Sequence, residues 1–267
     1  MAAAAYRLDK KHRRIAKANL DLAFGAQKSD AEKERIIRAS LRNLLYNLYE
    51  FIVLQHEDRV QMQNKMRSVE NDEIVRKLKA EGRPMIMVSA HYGCWEFALP
   101  YFAVTYNPLT IISRKLNNPY INEVFLKARN RQHLSMCEKK GAVRCIVKSL
   151  HQGNTVAITV DQNLTPKQSV TVEFFGHKAT QVDSPVRLAS KLGAVIVPVM
   201  NISEDFESYK MIIKEPIEVP PQISEDEVVV YSQKISDILE AQIRQAPEHW
   251  FWQHRRWKLY HPEIYRK

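Results

Sequence analysis

His91 and Glu96 are the residues of this chain whose types and spacing most directly suggest chemistry. They lie in the stretch RPMIMVSAHYGCWEF, residues 83–97. On one continuous helix, five residues rotate by about 140°, so the two side chains would diverge unless a turn at Gly93 brings them together. A carboxylate that accepts from one imidazole nitrogen leaves the other free to take a proton from a hydroxyl. The structural alternative is a capping histidine followed by a glutamate that the helix dipole favours.

The residues on either side of His91 predict the elements that position it. The run from Met85 to Ala90 is apolar or small, as in a buried strand, and Pro84 suits a strand's first position. Residues 94–99 then predict the first turns of a helix. A strand, a turn and a helix in this order commonly present functional groups at the edge of an open α/β sheet.

Further polar residues follow predicted strands directly or lie on the next helix. These candidates are Arg114, Arg129, Arg131, Asp161, Gln162 and Asn163. Because ligands bind beyond the carboxyl ends of such strands, we expect a shared site with His91. A base, guanidinium groups and an acid–amide cluster suit a reaction that develops negative charge on oxygen, or a phosphate-bearing substrate. Each arginine could instead be a surface residue, and Asp161 a turn cap.

Strands alternate with helices along the chain, which predicts one α/β domain behind a helical N-terminal cap. The predicted strands are residues 85–90, 109–113, 155–160, 170–175, 194–202 and 210–219. The predicted helices are residues 6–24, 29–63, 71–81, 94–101, 120–133, 141–151, 184–192 and 224–245. Pro198 suggests an edge position or a bulge for its strand. We divide the domain, residues 1–267, into a helical part (1–70) and an α/β core (71–267).

Charge and cysteine content narrow the class of protein. The 40 Lys and Arg residues against 30 Asp and Glu give a net charge of +10, which suits nucleic acid, anionic lipid or an acidic carrier protein as partner. Three cysteines, an odd and sparse set, predict a reducing compartment without disulfides, and no Cys/His spacing suggests a metal site. No apolar run reaches the roughly 18 residues of a transmembrane helix.

Four segments allow two interpretations each. The basic amphipathic residues 6–24 could bind a membrane surface or dock on the core. The aromatic and basic residues 249–258 could lie at lipid headgroups or pack inside. The leucine-rich residues 41–54 could form a core helix or the wall of an acyl-chain site. Cys94 could be a nucleophile at a helix N-terminus or a small packed residue.

Seven blocks of this sequence resemble known acyltransferases in a co-linear order. HYGCWE, residues 91–96, fits the His-x4-Glu motif of the glycerolipid and lipid A acyltransferases. The chain is similar to the lipid A biosynthesis acyltransferase family, the late acyltransferases of Gram-negative bacteria. The other blocks are Arg13–Phe24, Ser113–Pro119, Lys127–Arg131, Val160–Asn163, Glu173–Gly176 and Trp250–Lys258.

The resemblance implies a mostly parallel sheet flanked by helices and acyl transfer without a covalent enzyme intermediate, a cofactor or a metal. The donor would be a thioester of acyl carrier protein or coenzyme A, and the acceptor a hydroxyl of an anionic glycolipid. His91 would be the general base and Glu96 its orienting partner. Arg129 would act on the oxyanion or the acceptor phosphates. Arg114, Arg131 and the residues 161–163 would bind substrate or shape the site.

The resemblance also implies a cellular location, and it leaves other functions open. Because no N-terminal hydrophobic anchor of the family's usual kind is found, we expect a peripheral protein on the cytoplasmic face of the bacterial inner membrane. The same chemistry on another glycolipid or a lysophospholipid is one alternative. A thioesterase-like hydrolase and a non-catalytic module for anionic lipid are two more. We expect no nucleic-acid partner, since no recognisable motif for one is present.

Overall fold

The computed structural model describes residues 6–113, 118, 120, 122–123, 126–127, 133–138 and 141–266. The strands are Met66–Glu70 (β1), Met85–Ser89 (β2), Leu109–Ser113 (β3), Leu134–Glu138 (β4), Thr155–Thr159 (β5), Val170–Phe174 (β6), His177–Gln181 (β7), Val195–Ile202 (β8) and Tyr209–Ile213 (β9). The helices are Lys10–Phe24 (α1), Asp30–Val53 (α2), Arg59–Lys65 (α3), Asp72–Ala80 (α4), Trp95–Thr105 (α5), Ala142–His151 (α6), Ser184–Leu192 (α7) and Glu225–Gln245 (α8).

Seven strands form one sheet in the order β1-β9-β8-β2-β5-β3-β4, and β6 and β7 form a separate antiparallel pair. Within the large sheet every pairing is parallel except that of β8 with β9. The protein is thus a single α/β domain with a mixed, mostly parallel sheet flanked by helices, as predicted. Parallel strands place their carboxyl ends at a common edge, and β2 and β5 are immediate neighbours there.

Side chains of β2 alternate between two apolar cores, one on each face of the sheet. Ile86 and Val88 pack in a core with α1, the first half of α2, α7, α8 and the tryptophans near the C-terminus. Met85 and Met87 pack in a second core with α4 and α5. Full burial of an apolar side chain of this size contributes about 1.5–3 kcal/mol, so β2 is fixed from both sides.

Most predicted elements are confirmed with boundaries that differ by a few residues. The structure confirms the predicted strands that became β2, β3, β5, β6 and β8, and the helices that became α1, α4, α5, α6, α7 and α8. Ser184 lies at the first position of α7, and Ser224 caps α8 through the backbone N–H of Glu227. The predicted helix over 120–133 falls largely outside the described residues.

One predicted helix is wrong in its length, because a second cap was overlooked. The helix expected from 29 to 63 ends at Val53, and α3 begins again at Arg59. Asp58 accepts from the backbone N–H of Gln61 while the Gln61 side chain accepts from the Asp58 N–H, a capping box that starts a new helix. The capping box of Ser29 at the start of α2 is present as predicted.

Three strands were not predicted because polar residues interrupt their sequences. These are β1, β4 and β7, and β1 lies inside the range 1–70 that we expected to be helical. β9 ends at Ile213 and not at Val219. Pro198 is not at an edge: it is the last residue of β8 paired with β2, and the pairing with β9 starts at Val199. Its missing N–H therefore falls where one ladder gives way to the other.

Both terminal segments pack on the core. The buried face of α1 includes Ile15, Leu20 and Phe24, so this apolar face docks on the protein. Trp250 and Trp252 are fully buried, as is Trp257, which excludes the headgroup interpretation for these rings. Among the described residues, no helix combines the length and the apolar character that crossing a membrane requires.

Cys137 on β4 and Cys145 on α6 form a disulfide, with their Cα atoms 6.0 Å apart. The expectation of a chain without disulfides is therefore wrong. Counting cysteines could not show that the turn at Gly141 brings β4 and α6 within bonding range.

Candidate active site

His91 lies in a tight turn between β2 and α5. The backbone at Gly93 has φ +58°, a left-handed conformation that glycine adopts without strain. A Cβ at this position would lie 2.0 Å from the carbonyl oxygen of Asn201 on β8. The turn therefore requires glycine both for its conformation and for its close approach to the neighbouring strand.

Two buried asparagines hold this turn. Asn47 on α2 donates to the carbonyl oxygen of Gly93 at 2.7 Å, and its Oδ1 accepts from the Glu96 N–H at 3.2 Å. Asn201 donates its side-chain amide to the Cys94 carbonyl at 3.0 Å, and its own carbonyl accepts from the Cys94 N–H at 2.7 Å. Both asparagines are only 1% exposed, so water does not compete for these hydrogen bonds.

Asp161 accepts three N–H groups beside His91. Its Oδ1 lies 2.8 Å from His91 Nδ1, and its Oδ2 lies 2.9 Å from the His91 backbone nitrogen and 2.9 Å from the indole nitrogen of Trp250. The parallel pairing of β2 and β5, with Ser89 opposite Thr159, brings the two strand ends together. Because a carboxylate only accepts, Nδ1 carries the proton and Nε2 keeps the lone pair in the neutral ring.

Charge and hydrogen bonding outweigh burial at this pair. Burial on its own would lower the pKa of His91, but the Asp161 carboxylate holds that pKa above its ordinary value, with a smaller contribution from Glu96. Burial on its own would raise the pKa of Asp161, but His91, then His254 and Trp250, hold that pKa well below its usual range. The His91 side chain remains 21% exposed, so the base is accessible while its partner is not.

The hydrogen bond at His91 Nδ1 is made by Asp161, whereas we expected Glu96 to orient the ring. Glu96 lies in the first turn of α5, where the helix dipole favours an acid, and its Oε1 accepts from Trp95 Nε1 at 3.0 Å. The ring instead meets the carboxylate that the neighbouring strand presents. Glu96 still lines the same cavity as His91.

The two amides of the predicted acid–amide cluster, Gln162 and Asn163, contact different parts of the protein. The amide nitrogen of Gln162 lies 3.4 Å from His91 Nε2, a long contact with the accessible nitrogen of the ring. The Asn163 side chain instead accepts from the Leu259 N–H at 3.1 Å and so binds the C-terminal chain. The structure thus brings Asp161 and Gln162 to His91 and turns Asn163 toward another segment.

An apolar cavity of about 190 Å³ opens beside His91. Its walls come from α5 and from β2, β3 and β5, and most of them are aliphatic or aromatic. Trp95 contributes one wall and meets the His91 ring edge-on, with centroids 5.4 Å apart. A cavity of this size and lining suits a short hydrocarbon segment.

The three predicted arginines, Arg114, Arg129 and Arg131, lie outside the described residues. Ser113, which directly precedes Arg114, lines the cavity.

Cys94 does not have the features of a nucleophile. It is 1% exposed, and burial raises the pKa of its thiol well above the ordinary value. A reactive cysteine needs an accessible thiolate, so the interpretation as a small packed residue is the one supported.

Sequence reasoning missed the contact of Trp250 with the site. The indole donor is 89 residues away from Asp161 in the chain, and no local spacing connects them. The available signal was compositional: residues 249–257 combine three tryptophans, two histidines and two arginines, and most of these rings are buried.

Comparisons with known proteins identify the family of this chain. The family described as bacterial lipid A biosynthesis acyltransferase matches residues 1–259. The chain is 27% identical to the lipid A biosynthesis palmitoleoyltransferase of Escherichia coli (strain K12) over 253 residues, which cover 93% of this chain and 79% of that protein. It is 26% identical to the lipid A biosynthesis lauroyltransferase of the same strain, covering 95% of this chain and 81% of that protein.

Among solved structures, the chain is similar to the 1-acyl-sn-glycerophosphate (LPA) acyltransferase PlsC from Thermotoga maritima. The TM-score is 0.42 at 16% sequence identity, covering 89% of this chain and 98% of that chain.

The relatives named here are acyltransferases, and an oriented histidine beside an apolar cavity is consistent with an acyl-transferring enzyme. The match over residues 1–259 shows that the chain belongs to the bacterial lipid A biosynthesis acyltransferase family.

Proposed function

We propose that this protein transfers a fatty acyl chain from an acyl carrier protein thioester to a hydroxyl of a lipid A precursor, with His91 as general base. The observation that carries the proposal is the His91–Asp161 pair, 2.8 Å apart, at an apolar cavity of about 190 Å³. The cavity suits the hydrocarbon beside the thioester carbon, and the pair suits proton removal from a hydroxyl.

The reaction needs no group on the enzyme to become acylated. His91 Nε2 takes the proton of the acceptor hydroxyl while its oxygen attacks the thioester carbonyl carbon. Asp161 stabilises the imidazolium that forms, through the hydrogen bond to Nδ1. The tetrahedral intermediate then collapses, the carbon–sulfur bond breaks, and the imidazolium returns its proton to the departing thiolate. Gln162 leaves its long contact with Nε2 when the hydroxyl binds.

Charged groups are assigned to the parts of the substrates that carry negative charge. Arg129 is proposed for the oxyanion or the acceptor phosphates, with Arg114 and Arg131 as further ligands of the substrate. Glu96 is an acid and is not assigned to these negative parts. From the cavity wall, it is proposed to add negative charge that stabilises the His91 imidazolium without a hydrogen bond to Nδ1. Arginine suits phosphate because its planar fork makes paired, charge-assisted hydrogen bonds.

The net charge of +10 supports the proposed partners. An acidic carrier protein and an anionic lipid surface are both attracted to such a protein, and salt screens that attraction over about 8 Å at physiological ionic strength. We place the protein peripherally on the cytoplasmic face of the inner membrane, where both the donor and the acceptor lipid can be reached.

An acyl-transfer assay tests the reaction and the base together. Wild type and His91→Ala are incubated with an acyl carrier protein thioester and a tetra-acylated lipid A precursor, and the lipid mass is measured. We expect a gain of one acyl chain with wild type and a loss of at least about 10³-fold in rate for the variant.

A matched control and an acceptor panel make the result decisive. His151→Ala makes the same substitution at an exposed histidine at the end of α6, outside the residues that line the cavity, so its rate should stay within about 3-fold of wild type. Release of free fatty acid without acylated lipid would identify a hydrolase. No acylation by folded wild type of lipid A precursors, other glycolipids or lysophospholipids would reject the enzyme proposal.

A further inference from the structure

We propose that Trp250 is a positioning residue for His91: its indole N–H fixes the Asp161 carboxylate, which in turn holds the histidine as the Nδ1–H tautomer. The inference rests on the proposed function only for the role of His91 as a base. The tautomer itself is measurable without any turnover.

The geometry at Asp161 Oδ2 supports this role. Oδ2 receives two donors, the His91 backbone N–H and the Trp250 indole N–H, each at 2.9 Å. With Oδ2 held by both, Oδ1 is directed at His91 Nδ1 at 2.8 Å. Trp250 is 0% exposed and Asp161 only 1%, so no water can replace the indole donor.

The same chain segment is also paired with the backbone of the histidine turn. The Phe251 N–H donates to the His91 carbonyl at 2.9 Å, and the Gly93 N–H donates to the His249 carbonyl at 2.8 Å. The segment of residues 249–257, here called the C-terminal segment, therefore fixes the indole relative to the histidine backbone. The segment thus contacts both the Asp161 side chain and the main chain of the turn that carries His91.

The C-terminal segment holds the backbone of the Asp161 loop as well. The ring of His254 has one nitrogen 2.7 Å from the Phe251 carbonyl and the other 3.1 Å from the Asp161 carbonyl. Burial lowers the pKa of His254 to about 4, so this ring is neutral and donates to one of the two carbonyls at a time. Arg256, 1% exposed, donates to the Thr180 carbonyl and reaches the Gln162 carbonyl at 3.5 Å.

The N-terminal helices anchor the segment from the other side. Asn19 on α1 donates to the carbonyls of Trp252 and His254, both at 2.7 Å, and is 0% exposed. Ser40 on α2 donates to the Trp250 carbonyl at 2.5 Å. The backbone that carries the indole is thus held by α1 and α2, which leaves the ring little freedom to follow a displaced carboxylate.

Trp250→Phe tests the proposal, because phenylalanine keeps an aromatic ring and removes the N–H. In protein labelled with ¹⁵N-histidine, the ring nitrogens of His91 are assigned with His91→Ala and titrated. We expect one Nδ1–H tautomer in wild type and a mixture with Nε2–H in Trp250→Phe. The His91 pKa should fall, and kcat should fall on the order of 10-fold with little change in KM.

The chain offers two matched controls. Trp252 is equally buried but donates its indole N–H to the Pro247 carbonyl at 2.6 Å. Trp257 is equally buried, and its indole nitrogen has no hydrogen-bond partner among the described residues. Trp252→Phe and Trp257→Phe should keep the wild-type tautomer and pH profile.

A wild-type measurement covers the case in which Trp250→Phe does not fold. Because Trp250 and His91 share one carboxylate, the indole N–H resonance of Trp250 should shift with the His91 titration, while those of Trp252 and Trp257 should not. The inference is overturned if the His91 tautomer is unchanged in folded Trp250→Phe, or if the Trp250 indole N–H resonance does not shift as His91 titrates. A changed tautomer in a protein without acyl transfer sustains the inference and rejects the proposed function instead.

Discussion

Asp161 and Glu50 are two carboxyl groups with nearly equal burial and opposite electrostatic environments. They are 1% and 3% exposed. Asp161 accepts three N–H groups, and its pKa lies well below its usual range. Glu50 on α2 accepts the Tyr209 hydroxyl at Oε1, while its Oε2 has no hydrogen-bond partner among the described residues. Burial raises the pKa of Glu50 to about 8, against the opposing effect of that hydroxyl.

The difference indicates that neighbouring charges and hydrogen-bond donors, and not depth alone, decide whether a buried acid stays ionised. Desolvation pushes both carboxyl groups toward the neutral form. At Asp161 the nearby imidazole and the N–H groups reverse that effect. Near Glu50 the Tyr209 hydroxyl and Lys65 oppose it only in part, and the charges of Glu96 and Glu57 add to it. Asp161 is therefore fit to stabilise a cation at His91, and Glu50 is held neutral at pH 7.

Asp161→Asn is expected to have the largest effect, because it replaces the ionised carboxylate beside His91 with a neutral amide. An asparagine in this position cannot stabilise an imidazolium and can favour the wrong tautomer of His91. We expect acyl transfer to fall by about 10³–10⁴-fold, about 4–5 kcal/mol of transition-state stabilisation. Steady-state kinetics with the thioester donor measure this.

The control for that variant is Asp183→Asn, at an acid that pairs with Arg187 away from the site. Its rate should remain near wild type. A rate for Asp161→Asn within 10-fold of wild type would mean that the hydrogen bond to Nδ1 does not serve catalysis.

Glu50→Gln is expected to have the next largest effect, on stability instead of activity. The folded-state pKa of about 8 lies above that of the unfolded chain, about 4.3, so the native state binds more protons between these values. The free energy of unfolding of wild type therefore falls as pH rises through this window. Glu50→Gln lacks this loss, so above pH 8 its free energy of unfolding should exceed that of wild type by on the order of 2–4 kcal/mol.

Urea denaturation at pH 5 and pH 8.5 measures this difference. The two proteins should be nearly equal at pH 5 and separate at pH 8.5. Equal stability at both values would mean that Glu50 ionises normally in the folded protein. Activity at pH 7 should stay within about 2-fold of wild type.

Tyr209→Phe sharpens the comparison because it removes the hydroxyl that donates to Glu50. The ring stacks on Phe97 with centroids 3.7 Å apart, and phenylalanine preserves that contact. Loss of the hydroxyl should cost about 1–2 kcal/mol of unfolding free energy at pH 7. In the Glu50→Gln background the cost should differ, because two residues that share a hydrogen bond are not additive. Equal costs in both backgrounds would show that the hydroxyl does not act on Glu50.

How far the sequence predicts this site is visible at His91 itself. The apolar strands before His91 and Asp161 were predictable, and so was their meeting at one sheet edge. The choice of Asp161 over Glu96 at Nδ1 was not, because it depends on the register of β2 against β5 and on the turn at Gly93. The indole donor from Trp250 was invisible, since a long-range contact between buried groups has no local pattern.

The pH dependence of acyl transfer is the finest test of the comparison. Because the base must be neutral and Asp161 raises the pKa of His91, activity should be lost as pH falls through a midpoint above the ordinary value of about 6.5. In Asp161→Asn, the residual activity should show a lower midpoint, since the nearby negative charge is gone. Glu50→Gln should leave the midpoint in place, because Glu50 is neutral at this pH. If Glu50→Gln moved the midpoint as far as Asp161→Asn does, the two carboxyl groups would not differ in the way their donors imply. Values of kcat/KM measured between pH 5 and 9 distinguish these outcomes, since the pH dependence of that ratio reports the pKa values of the free enzyme.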